Sequence, residues 1–401
     1  MHASTDDLVR RHAATAAGAA ADEPVLAGGP LQRLGRRLGL VRNGSNSVPL
    51  GLVLGGSLWL VLLLFSWIDG VHDSLFSPSA IGVHVRLLVA LPLLFVAETL
   101  VAPCVATFIE AVVRSEVVPP RAQPALRADL ASTRRLASSW WPELLCLLGA
   151  LAMLLAGSHL HLHGSSATLG AADASVSGTL AGLWYGIICL TVVRFALLRW
   201  LWRMLLWCRF LWRLSRLDLH LVPTHPDRQA GLGYLQVVHS QFMPVVAAIS
   251  AIQAAGLAEE IARGTTPLEA VGPAIVLLAA VMAGLFLGPL LILAPRLRAA
   301  RLAGLESYMD LGSAYVNAFE TKWIVPAAAP SEPLLGSADL QSLADLQSSV
   351  GVIDEMRWIP VSLRLAIFAL AATLVPMTPL LLFKYPIAEL ADKLVGRLVG
   401  G

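Results

Sequence analysis

Seven apolar stretches, each long enough or nearly long enough to cross a bilayer as a helix, dominate this chain: approximately Val48 to Ile68, Ile81 to Val112, Pro142 to Ser158, Val176 to Trp207, Phe242 to Ala258, Leu268 to Leu293 and Leu363 to Phe383. About 20 helical residues cross the hydrocarbon layer. Nothing in that layer can hydrogen-bond an open backbone, so runs of this kind close their peptide groups within helices. The expected fold class is all-α, a polytopic transmembrane helix bundle of about seven spans. The fifth stretch is the shortest and carries Ser250 and Gln253, so an alternative of six spans treats it as interfacial. Composition agrees: 56% of residues are hydrophobic and 14% charged, against about 25% charged in soluble chains. The formal net charge of +2, with arginines at the ends of apolar segments, points to the lipid bilayer as partner and to no nucleic acid.

Basic residues indicate how the chain is threaded, because cytoplasmic loops collect them. Arg33 to Arg42 precede the first span, Arg114 to Arg135 follow the second, Arg199 to Arg216 end the fourth, and Arg296, Arg298 and Arg301 follow the sixth. The segments Asp69 to Ser79 and Leu160 to Ser177 hold no Lys or Arg. This alternation predicts a cytoplasmic N-terminus and seven spans. Lys384, Lys393 and Arg397 break the rule with seven spans; six would place them inside but would expose the Arg296 cluster. The predicted organisation is a disordered cytoplasmic tail over 1–47, a bundle over 48–298, a cytoplasmic amphipathic helical hairpin over 299–360, and a last span with its tail over 361–401. The four cysteines fall in apolar segments without metal or disulfide spacing, and read as small buried apolar residues.

Two soluble features stand out. Leu302, Leu305, Met309, Val316, Phe319 and Trp323 recur at helical steps with Gly312 in the missing slot, and after a Pro-rich break Leu340, Leu343, Leu346, Val350, Ile353 and Met356 do the same. Ser337 is placed to cap the second helix. The two predict an antiparallel hairpin, a docking place for a protein partner or for the basic end of the fourth span at Arg209 and Arg213. Between the fourth and fifth spans, Pro223 and Pro226 exclude helix, and His225, Asp227, Arg228, Gly231 and Gly233 predict a structured elbow.

Charges inside the apolar runs are the candidate functional residues, since each costs several kcal/mol without a partner or water. Glu98 and Arg194 are matched in depth when counted from Leu87 and Leu180, and predict a pair facing the bundle interior, as a packing device or as part of a conduit. Arg199 to Arg216, interleaved with tryptophans, read as headgroup anchors. Asp69 or Asp73 could neutralise Arg86, with solvated loop charge as the favoured account. His159, His161, His163 and His220 are weak metal candidates of no standard spacing, and no cofactor is implied.

The segments VPTHPDRQAGLGYL (Val222 to Leu235), PLLGSADLQSLADL (Pro333 to Leu346) and MRWIPVSLR (Met356 to Arg364) together resemble a group of uncharacterised bacterial multi-pass inner-membrane proteins. The resemblance runs from about Ser47 to the end of the chain, implies a bacterial inner-membrane protein, and carries no activity with it. The expected function is a channel or transporter for an ion or small solute, with oligomerisation around a pore as one arrangement. The alternative is a membrane scaffold or signalling partner acting through the hairpin. A third reading, metal-assisted hydrolysis at the elbow, lacks a recognisable motif, and no other catalytic set is visible.

Overall fold

A computed structural model describes residues 28–41, 46–160, 178–325, 333 and 337–383. The chain is all-α, and among the described residues there is no strand. Helices are labelled in chain order, with short turns left unlabelled: α1 (Pro30–Arg37), α2 (Val48–Ile68), α3 (Pro78–Arg114), α4 (Gln123–Ser138), α5 (Trp141–Leu160), α6 (Leu180–Arg216), α7 (Tyr234–Ala262), α8 (Leu268–Ile324), α9 (Ala338–Asp354) and α10 (Leu363–Phe383). Six of them, α2, α3, α6, α7, α8 and α10, are long and apolar enough to cross a membrane. The α4–α5 pair, bent by 45° at its break, makes a seventh if it is one span.

The stretch with the weakest apolar signal holds the centre. α7 packs against α3 along much of its length and against both halves of α10. Its Val245, Val246, Ala248, Ala251, Ala254, Ala255 and Ala258 are buried. Alanines let neighbouring backbones approach, which is how helices pack where lipid removes the hydrophobic drive between them. Ser250 and Gln253 belong to a helix of 29 residues that is long and apolar enough to span, with Ser250 buried and Gln253 exposed.

Three helices are interrupted at informative places. α3 and α6 each contain one wide π-helical turn, Val85–Ala90 and Trp184–Cys189. α10 tightens into a 3₁₀ helix over Val375–Phe383, where Pro376 and Pro379 remove donors. α6 has 37 residues, about 55 Å of helix. It outruns the ~30 Å hydrocarbon layer, so its last turns stand clear of the spanning part.

The far end of α8 and α9 form the hairpin. Gly304, Leu305, Tyr308, Gly312, Tyr315, Phe319 and Trp323 are buried or half-buried on α8, as are Leu343, Leu346, Val350 and Ile353 on α9. Leu302, Met309 and Val316 belong to the same predicted stripe but stay 53%, 58% and 41% exposed. Ser337 stands at the N-cap of α9, but its hydroxyl makes no capping bond. At the distal end the Asp339 carboxylate accepts from Lys322 Nζ (2.7 Å) and Trp323 Nε1 (2.9 Å), and these bonds hold its pKa below the ordinary value.

The base of the hairpin rests on the elbow rather than on the basic end of α6. Arg357 N donates to Arg228 O (2.9 Å), Arg228 pairs with Glu355 (2.8 Å), and Pro223 lies where a Cβ on Gly304 would be, at 2.7 Å. Arg209 and Arg213 are occupied by α4, through Ser132, Thr133 and Asp129. Gly304→Val is accordingly expected to unseat the hairpin and to increase tryptic cleavage at Arg301 and Lys322 at least severalfold. Glu355→Ala, which removes only a solvent-screened pair, leaves cleavage near wild type. Equal cleavage in the two variants contradicts this seating.

Candidate functional site

Among the described residues, two buried charged clusters occupy the bundle, one toward each end. The first gathers at the arginine-rich side, where α6 presents Arg199 and Arg203 one helical turn apart. Glu98 of α3 receives both: Arg199 Nη1 donates to Oε2 (3.0 Å), Arg199 Nη2 to Oε1 (3.2 Å), and Arg203 Nη2 to Oε1 (2.6 Å). Glu143, in the first turn of α5, accepts from Arg199 Nε (3.1 Å), and its second oxygen accepts from Leu31 N of α1 (3.0 Å). Glu98 is 3% exposed and each arginine 5%. Two arginines face two carboxylates, and the forked guanidinium of Arg199 meets Glu98 in the bidentate manner that suits it.

The second cluster lies at the level of the two π-helical turns. Arg86 in the turn of α3 donates to the Tyr185 hydroxyl in the turn of α6 (2.8 Å) and stands 3.5 Å from both oxygens of Glu259 on α7. Gly82 N also donates to Glu259 Oε1 (2.9 Å), and a Cβ at Gly82 would meet that oxygen at 2.1 Å. Arg86, Tyr185 and Glu259 are all buried. A π turn widens the helix locally and is frequent at functional sites. Here two of them bring a cation and a phenol together. Asp69, expected near Arg86, instead accepts from Ala181 N at the start of α6 (2.8 Å).

Arg194 lies between the clusters on α6, and the predicted Glu98–Arg194 pair does not form. Glu98 is saturated by Arg199 and Arg203, while Arg194 Nη1 is buried without a hydrogen-bond partner. Its side chain is half-buried, and Tyr185 and Arg86 lie within electrostatic reach of it. Among the described residues no carboxylate forms a salt bridge with Arg194. Each cluster is charge-balanced, and Arg194 adds an uncompensated cation. The anchor reading is corrected as well: Arg199 and Arg203 point into the protein, whereas Arg216 stacks on Trp212 as an anchor should (5.0 Å).

The elbow residues come together. Asp227 accepts from Gln229 N (2.8 Å), Gly231 N (3.2 Å) and Gly233 N (2.8 Å), with His225 Nδ1 2.8 Å from its Oδ1. Arg228 and Ala230 adopt φ of 56° and 54°, and Gly231 93°. His220 is exposed, and its backbone bonds Val117 O (2.9 Å), tying the elbow to the end of α3. This is a packed corner whose carboxylate is taken up by its own backbone. His161 and His163 lie outside the described residues, and His159 falls in the last turn of α5. Among the described residues no group of three His, Cys, Asp or Glu is placed to hold a metal ion.

A buried histidine lies apart from both clusters. His239 of α7 is 0% exposed; Trp207 Nε1 donates to its Nε2 (3.0 Å), and its Nδ1 faces Phe286 O (2.8 Å). It joins α6, α7 and α8 as a neutral ring used on both nitrogens. No family model, curated protein or solved structure matches the chain.

Proposed function

We propose that the chain is a bacterial inner-membrane transport protein, a channel or carrier, that binds an anion at Arg194 on its way through the bundle. The observation that carries this reading is the unpartnered guanidinium nitrogen of Arg194, beside charge clusters that are otherwise balanced. A cation in the membrane interior persists where it meets a partner, a ligand or water. Glu98 has no free oxygen to offer a passing solute, so it fixes the helices. The arginine-rich side, with α1 and the hairpin, is the cytoplasmic face in this reading, by the distribution of basic residues.

A second reading, a scaffold or signalling partner, is favoured by the exposed Leu302, Met309 and Val316 of the hairpin, which repeat every seven residues as helix-binding stripes do. Flux separates the two. In liposomes holding the purified chain, protein-dependent anion flux is expected, reduced at least tenfold by Arg194→Gln and partly kept by Arg194→Lys. Absence of flux for chloride, phosphate, acetate and decanoate alike defeats the transport reading.

A further inference from the structure

We propose that the anion is amphiphilic, an oxyanion with an apolar body, and that it reaches α6 from the bilayer through the cleft between α5 and α6. This rests on the anion reading above and names its substrate class. The cleft has a volume of about 410 Å³, and its walls include Leu144, Leu147, Val192 and Phe195. That volume lies in the range of small-molecule sites, about 300–1,000 Å³.

Thr191 also lines the cleft. It is 8% exposed, and its hydroxyl has no hydrogen-bond partner. Other helical threonines here donate to the carbonyl four residues back: Thr99 to Phe95 (3.1 Å), Thr107 to Pro103 (3.1 Å), Thr133 to Asp129 (2.8 Å) and Thr373 to Ala369 (2.9 Å). The carbonyl four before Thr191 belongs to Ile187, inside the π turn Trp184–Cys189, where the bonding step lengthens to five residues. The bulge thereby leaves a buried hydroxyl free. A χ1 step between staggered wells exchanges its oxygen and methyl without moving the backbone.

Three residues on, Arg194 stands beside the cleft rather than in its lining, one turn from Thr191 on the same helix, with its own nitrogen unpartnered. A guanidinium and a hydroxyl able to donate are complemented by a negatively charged oxygen. Glu143, at the end of the cleft near Pro30, does not oppose one, because its two oxygens are taken by Arg199 and Leu31 N. The apolar walls complement a hydrocarbon chain, which arrives by partition into the bilayer.

The test is thermal unfolding of the purified full chain in detergent with decanoate, decanol or acetate. Decanoate is expected to raise Tm saturably, and neither decanol nor acetate to do so. Thr191→Val, which keeps the shape and removes the hydroxyl, weakens apparent affinity about tenfold. Arg194→Gln abolishes the shift, and Leu147→Trp abolishes it by filling the cleft with no change of charge. If Arg194→Gln fails to fold, the other two variants decide. An equal shift with decanol, or a decanoate shift that survives Leu147→Trp, overturns the proposal. Arg194-dependent chloride flux without a decanoate shift overturns the amphiphile and leaves the anion reading intact. A decanoate shift without flux of any anion supports the cleft and defeats the transport reading.

Discussion

Glu98→Ala is expected to lower the thermal unfolding temperature of the detergent-solubilised chain by about 10 °C or to abolish monodisperse protein, because it orphans a buried cation. Removing one partner of a buried ion pair costs about 3–5 kcal/mol. The two arginines do not suffer equally. Arg199 retains Glu143 at 3.1 Å, whereas Glu98 is the carboxylate paired with Arg203, at 2.6 Å. The Trp200 face, 5.2 Å from the Arg203 guanidinium carbon, is a weak substitute, worth about 0.5–2 kcal/mol. Arg203→Met in the Glu98→Ala background should therefore recover a good part of the loss, while Arg199→Met in that background should not, because it strands Glu143. Each double variant is read by fluorescence-detected size exclusion after heating. Equal recovery, or a Glu98→Ala loss no larger than that of the exposed Glu355→Ala, means that the network does not hold the bundle in this way.

Much of the bundle was legible because lipid permits few solutions: length and hydropathy place the spanning helices, and heptad-like steps place the hairpin. The internal charge pairing was less legible, for a definite reason. Counting depth from Leu87 matched Glu98 to Arg194, but α3 begins at Pro78. From the true starts, Glu98 and Arg199 stand 20 and 19 residues into α3 and α6, at one level. The polar turn Ser77–Pro78–Ser79 looks like loop in sequence and is already helix onset. Arg199 and Arg203 illustrate a related ambiguity: tryptophans among arginines at the end of an apolar run read as a membrane boundary, but both guanidinium groups are buried against Glu98, while Trp212 further along α6 is exposed. Glu259 had no signal at all as a partner of Arg86. It lies at the end of a segment whose spanning was in doubt, 173 residues away in the chain, and only the packing of α7 between α3 and α10 brings it there.

The contact of α2 with α3 is where a single methyl group is expected to do most harm. Gly51 and Gly55 form a small-x-x-x-small pair, the spacing that lets two membrane helices touch along their backbones. A Cβ on Gly51 would meet the Cβ of Phe95 at 2.7 Å, an atom that no side-chain rotation moves. A Cβ on Gly55 would approach the carbonyl oxygen of Leu87 more closely still, and a backbone oxygen cannot turn away either. The helices must part instead, at a cost above the ~1–3 kcal/mol usual for overpacking. Leu87 sits in the π-helical turn that carries Arg86, so the displacement reaches the Arg86–Glu259 contact, already at 3.5 Å, and the Tyr185 hydroxyl beyond it. Gly55→Ala should thus reduce folded yield severely and, in whatever folds, impair any activity that depends on the Arg86 level. Gly56→Ala, next in the chain but facing open space, is expected to match wild type in yield and unfolding temperature. Indistinguishable behaviour of the two variants would show that the α2–α3 crossing is looser than this geometry requires, and that Arg86 is positioned by α7 alone.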